Sequence, residues 1–137
     1  MAGTGTNNTE KTIELTKIFQ DLGADYGLVV TPYYNKPPQN ALKAHFLTVA
    51  DAVDLPLVLY NVPGRTGCNL QAETTLKLSA HPRIIGIKEA SGDLNQIAKI
   101  CLQRPQDFSV MSGDDNLTLP VVSSTLLYGL LYVYGGL

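Results

Sequence analysis

The sequence predicts an α/β fold built on a parallel sheet, and three observations predict it. Four short apolar runs recur: Gly27-Leu28-Val29-Val30, Leu57-Val58-Leu59-Tyr60, Ile84-Ile85-Gly86-Ile87 and Phe108-Ser109-Val110-Met111. Rich in β-branched residues and too short for helices, they read as strands buried on both faces. Their centres, near Val29, Val58, Ile85 and Val110, are spaced by about 29, 27 and 25 residues, one βα unit each. Helical patterns fill the gaps, and strand–helix alternation of this kind makes a parallel sheet.

Each helix has its own signal. Residues 10–22 carry Leu15, Ile18, Phe19 and Leu22 as a face, with Gly23 as the stop. Residues 39–53 carry Leu42, Phe46, Val49 and Val53 at helical spacing. Residues 71–80 form a shorter helix ended by His81-Pro82. Residues 94–103 place Leu94, Ile97, Ala98 and Cys101 on one face, with Asp93 as N-cap, Gln96 three positions on, and Pro105 closing the segment.

Polar clusters mark the carboxyl ends of the strands: Thr31-Pro32-Tyr33-Tyr34-Asn35, Asn61-Val62-Pro63-Gly64-Arg65-Thr66-Gly67, Lys88-Glu89-Ala90-Ser91-Gly92 and Ser112-Gly113-Asp114-Asp115. Barrels and open sheets both place their chemistry there. Gly3-Thr4-Gly5 is not continued into a nucleotide-binding fingerprint, which favours the barrel. A complete (β/α)8 barrel needs about 250 residues, and the 137 residues here hold about five units. The expectation is a single domain, 1–137, forming an incomplete barrel.

Lys88 is the most informative residue. Strict alternation puts residues 84, 86 and 88 on one face; if that face is the barrel interior, Gly86 leaves room beside the amine. An apolar interior disfavours the ammonium and frees a neutral amine to form a Schiff base. The ordinary alternative is a lysine extended to solvent or paired with Glu89. Tyr60, on a face with Val58, is a candidate proton relay for a carbinolamine, or a packed tyrosine. Arg65 suits a carboxylate held bidentately, or is a solvated surface arginine. Tyr33-Tyr34 read as a contact patch or subunit interface. Asp114-Asp115, with no His or Cys nearby, reads as strand-end bonding and helix capping rather than a metal pair. His45 and His81, without evident partners in sequence, read as structural.

Composition narrows the functional class. The chain is 45% hydrophobic and 16% charged with net charge −2, which gives no electrostatic case for nucleic acid or an anionic membrane. Two cysteines, Cys68 and Cys101, stand in no metal or redox spacing and fit a reducing cytoplasmic setting. Met1-Ala2-Gly3-Thr4-Gly5 does not read as a signal peptide. Residues 116–137 lack charge, but Pro120, Gly129, Gly135, Gly136 and several Ser/Thr dilute them as a membrane span.

Five segments together resemble the 4-hydroxy-tetrahydrodipicolinate synthase (dihydrodipicolinate synthase) family. They are residues 2–9 (Ala-Gly-Thr-Gly-Thr-Asn-Asn-Thr), 29–37 (Val-Val-Thr-Pro-Tyr-Tyr-Asn-Lys-Pro), 59–67 (Leu-Tyr-Asn-Val-Pro-Gly-Arg-Thr-Gly), 86–92 (Gly-Ile-Lys-Glu-Ala-Ser-Gly) and 112–115 (Ser-Gly-Asp-Asp). The resemblance runs from residue 2 to about 122. It implies a (β/α)8 TIM barrel, usually a homotetramer, that condenses pyruvate with L-aspartate-4-semialdehyde in lysine and diaminopimelate biosynthesis, with no cofactor. By this likeness Lys88 is the Schiff-base lysine, Tyr60 the proton-relay tyrosine, Arg65 the arginine for the semialdehyde carboxylate, Tyr34 the tyrosine that reaches a neighbouring subunit's site, and Gly113 a residue whose backbone lines the pocket. Sialic acid lyases share the lysine and the Tyr-Asn motif but typically lack Arg-Thr-Gly. The competing readings are such a related pyruvate-dependent aldolase, or an inactive fragment serving only as an oligomeric or structural module.

Three departures accompany the resemblance. The chain starts within the family's third strand, without the threonine of a Thr-Thr-Gly-Glu relay motif. From Ser123 to Leu137 the family pattern gives way to an atypical tail, as a reading-frame shift or a fragment's end would produce. Lys11 stands where lysine-inhibited members carry glutamate, four residues after an asparagine matched by Asn7, so weak or absent lysine feedback is expected.

Overall fold

The computed structural model describes residues 1–126. Its sheet has five parallel strands in the order β1 (Ala2–Gly3), β2 (Gly27–Val30), β3 (Leu57–Asn61), β4 (Ile84–Glu89) and β5 (Ser109–Ser112). The helices are α1 (Thr9–Asp21), α2 (Gln39–Ala52), the single turn α3 (Pro63–Thr66), α4 (Ala72–Leu78), α5 (Leu94–Gln103) and α6 (Thr118–Leu126), with a 3-10 turn at Asp115–Leu117. Spatial order follows chain order without reversal. A doubly wound sheet reverses at its switch point; crossovers that always advance put every helix on one face. This is the winding of a barrel wall, and it decides what alternation alone left open. Of the atypical tail expected over 123–137, residues 123–126 belong to α6 and residues 127–137 lie outside the described residues. Among the described residues, no helix is long and apolar enough to cross a membrane.

One core joins sheet and helices. Val29, Leu57, Leu59, Ile84, Ile87 and Val110 from the strands pack with Leu42, Phe46 and Val49 of α2, Leu78 of α4, Ile97 and Ile100 of α5 and Val121 of α6. Burying each such side chain contributes about 1.5–3 kcal/mol. The opposite face carries Leu28, Val30, Tyr60, Lys88 and Met111, all half-buried.

Strict alternation fails in β4. Leu57 pairs with Ile84, but Val58 pairs with Gly86, so Ile85 is an extra residue. This bulge turns Ile84 into the helix-side core with Ile87, three positions on. The expected sharing of one face by residues 84, 86 and 88 is therefore corrected: Gly86 and Lys88 share the open face, and Ile84 does not. Gly86 also serves another purpose than expected. A Cβ there would lie 2.7 Å from the Ser109 carbonyl oxygen, so its bare backbone permits the close approach of β5 and leaves no hollow for the amine.

Two helix faces also differ from expectation. In α1, Thr12 and Thr16 are buried while Ile18 and Leu22 are exposed. The inward threonines satisfy themselves: Thr12 Oγ1 accepts from Thr6 N at 3.0 Å and Thr16 Oγ1 donates to Thr12 O at 2.6 Å. In α5 the stripe is Ile97, Ile100 and Cys101, with Leu94 exposed. Asp93 caps α5 as expected, accepting from the amides of Asn95 and Gln96.

Both histidines have partners, contrary to the sequence reading. His81 Nε2 lies 3.1 Å from Asp51 Oδ1. His45 Nδ1 lies 2.9 Å from Thr9 Oγ1, tying α2 to the start of α1, and burial lowers its pKa to about 4.

Two outcomes follow. Gly86→Val should destabilise the fold by about 1–3 kcal/mol in urea unfolding, since the collision is with backbone rather than a side chain that can swing away. Between pH 6.5 and 4 the unfolded chain protonates at residue 45 and the folded chain does not, so stability falls as pH drops through that window. Compared with His45→Gln, the wild type should lose on the order of 2 kcal/mol more between those limits, read from chemical denaturation at each pH.

Candidate functional site

Tyr60 and Lys88 are register partners at the carboxyl ends of β3 and β4. Being opposite one another on adjacent strands, they point to the same face. Lys88 Nζ lies 4.9 Å from the centroid of the Tyr60 ring, within cation–π range. The amine and the aromatic residue singled out from the sequence are thus brought together. The surroundings differ from expectation: Lys88 is half-buried, along an open trough of about 410 Å³ lined by Met1, Asp25, Tyr26, Leu28, Met111 and Ser112. Five strands curve too little of a barrel to enclose it.

Gly113 follows β5 and donates its N–H to Glu89 O at 2.7 Å. A Cβ on it would stand 2.9 Å from Ala90 Cβ and 3.3 Å from Lys88 Cε. Glycine here lets the β5 loop lie directly against the lysine stem.

Arg65 is exposed on α3, whose last turn ends at Gly67 with φ 69°. Beneath it Thr66 is buried, and its hydroxyl bonds the carbonyl of Cys68 at 3.0 Å while receiving the Thr31 hydroxyl at 3.2 Å. Thr31 starts the loop after β2, so this hydroxyl pair ties the Arg65 loop to the Tyr34 loop. Tyr34 itself is 89% exposed, with φ 74°. A bulky residue is strained in the left-handed region, and here its amide reaches Thr66 O at 3.4 Å. Arg65 and Tyr34 therefore stand exposed on neighbouring, linked loops. Asp114 caps the 3-10 turn, accepting from Asn116 N at 3.0 Å.

The sequence reading missed Glu89. It does not pair with Lys88 but turns to the helix side, 1% exposed. Asn61 Nδ2 donates to both of its oxygens at 3.1 and 3.2 Å, Ser91 N to Oε1 at 2.7 Å, and Gln96 Nε2 to Oε2 at 3.1 Å. Burial pushes its pKa above the usual carboxylate range, opposed by these hydrogen bonds. The signal was available: the residue after an inward lysine on a strand must face outward, into the helix layer.

Comparison with known proteins identifies the family and the fold. Residues 1–127 match the family model described as the dihydrodipicolinate synthetase family. The chain is 57% identical over 123 residues to 4-hydroxy-tetrahydrodipicolinate synthase 1 of Halalkalibacterium halodurans, covering 90% of this chain and 42% of that protein. It superimposes with TM-score 0.88 on the enzyme from Cyanidioschyzon merolae crystallised with lysine bound, at 51% identity, covering 96% of this chain and 44% of that one. The same TM-score, at 46% identity, relates it to the chloride-inhibited enzyme of Acinetobacter baumannii complexed with pyruvate, with 96% and 45% covered. The chain thus spans less than half the length of these relatives, and its five strands are part of a TIM-barrel wall. By sequence and by fold, it belongs to the dihydrodipicolinate synthetase family.

Proposed function

We propose that this chain carries the pyruvate-binding part of a Schiff-base lyase that condenses pyruvate with L-aspartate-4-semialdehyde to 4-hydroxy-tetrahydrodipicolinate, with loss of water, in lysine and diaminopimelate biosynthesis. The observation that supports it is the placement of an amine and a phenol on adjacent strand ends, 4.9 Å from Nζ to ring centroid. In this reading the lone pair of Lys88 Nζ adds to the keto carbon of pyruvate and a C–N bond forms. The former carbonyl oxygen becomes the hydroxyl of a carbinolamine. It then leaves as water, and the Tyr60 phenol hands on the protons that these steps need. Gly113 gives backbone to the pocket wall, and Arg65, on its rim loop, holds the semialdehyde carboxylate. Tyr34, exposed on the loop after β2, reaches toward a neighbouring subunit's site in a homo-oligomer, a tetramer in the wider family. A cytoplasmic setting fits the two buried, unpaired cysteines Cys68 and Cys101.

The second reading, an inactive module, draws on the open trough beside Lys88, because a solvated ammonium is a poor nucleophile. Pyruvate with borohydride separates the two. The first reading expects a reduced pyruvate adduct on Lys88 by mass spectrometry, absent in Lys88→Ala and formed about 10²-fold more slowly in Tyr60→Phe. Label elsewhere, or none, favours the inactive module. Arg65→Ala should leave that adduct intact while raising half-saturation for the semialdehyde by more than about tenfold in the coupled reaction.

A further inference from the structure

Behind Tyr60 and Lys88 stand their successors, Asn61 and Glu89, also register partners but facing the helix layer. Four donor contacts converge on the Glu89 carboxyl group: two from Asn61, one from the Ser91 amide and one from Gln96. Asn61 is in turn held by the Leu70 amide, which donates to its Oδ1 at 2.9 Å, and by Asn69 Oδ1 at 2.8 Å. One buried side chain therefore joins β3, β4, the start of α5 and the loops after both strands. The last backbone bonds of this region run from Ala90 N to Asn61 O and from Gly113 N to Glu89 O.

A buried carboxyl group is costly unless fully bonded, and an apolar residue would fill this space without that cost. What a carboxyl group adds is two acceptor oxygens where every neighbour presents a donor. We propose that the Asn61–Glu89 pair is a positioning clamp: by locking the ends of β3 and β4 from behind, it fixes the separation of the Tyr60 phenol and the Lys88 amine, and it seats Gly113 against the lysine stem. Glu89 faces away from the trough, so it acts through the residues it holds. The inference rests on the Schiff-base reading for its kinetic consequence but not for its structural one.

The test uses the full chain and two readouts. In Glu89→Gln an amide nitrogen must face donors, and part of the clamp opens. Amide hydrogen exchange should accelerate about tenfold or more at Ala90, Ser91 and Gly113, and remain unchanged in the core strands. The rate of borohydride-trapped adduct formation on Lys88 should fall about tenfold, with the half-saturating pyruvate concentration unchanged. The double exchange Asn61→Asp with Glu89→Gln returns a carboxylate opposite an amide and should recover both readouts in part, since the carboxylate at position 61 no longer donates to Asn69. Unchanged exchange at the three amides, acceleration spread over the whole chain, or a double variant no better than the single one would overturn the clamp. If Glu89→Gln does not fold, Gln96→Leu, which removes one donor, decides in its place by exchange at Ser91. A wild-type chain that forms no adduct counts against the Schiff-base reading alone, because the exchange measurements judge the clamp by themselves.

Discussion

The register between β3 and β4 is the constraint on which the rest depends. Side chains alternate along a strand, so a slip of one residue sends every later side chain to the other face. Counted strictly from Ile84, Lys88 would share that residue's face and lie under the helices. The extra residue at Ile85 shifts the phase. Ile84 and Ile87 both join the core, and Lys88 emerges opposite it beside Tyr60. Bulges commonly re-aim a side chain next to a functional site. Gly86 belongs to the same device, since it lets β5 close up against the strand just past the irregularity.

Much of this was legible in the sequence because the signals were local. The runs at Val29, Val58, Ile85 and Val110 are β-branched and bounded by polar loops, and all four became strands. The stripe Leu42, Phe46, Val49 and Val53 is fully buried. What escaped was set by tertiary context. Strand β1 is only Ala2–Gly3, too short for any period to register, and only the family resemblance placed a strand there. The inward face of α1 is made by Thr12 and Thr16, whose hydroxyls bond within the helix and its preceding loop, so a hydropathy pattern points the wrong way. The bulge has no composition of its own: Ile84-Ile85 reads as any buried strand. Lys88, Tyr60 and Arg65 could be singled out as candidates, but not the buried surroundings of Glu89, since adjacency in sequence suggested a pair that the pleat forbids.

The polar residues around the site form two separate systems. On the helix side, the Glu89 carboxyl group gathers donors from β3, β4 and α5. On the rim, the buried hydroxyls of Thr31 and Thr66 join the loop bearing Tyr34 to the turn bearing Arg65. Each system ties two consecutive βα loops, and Asn61 and Thr66 are only five residues apart. The loop after β3 is therefore held at its base by the first and at its tip by the second. Loops on a barrel carry function only as far as the scaffold fixes them, and here the fixing is done by short polar side chains rather than by apolar packing.

These arrangements settle position and not desolvation. The side chains under the helix layer are buried, yet the face bearing Lys88 is half-open, with Leu28, Val30 and Met111 only partly covered. Coulombic and desolvation effects on an amine grow steeply as water is excluded. The Lys88–Tyr60 contact therefore sits in a half-open setting, where water screens it. Five strands suffice to aim the amine, because the face it emerges on is set by the register of β3 and β4. Enclosure requires walls on the far side of the trough, a separate physical demand that could be met without altering any contact described for these two strands.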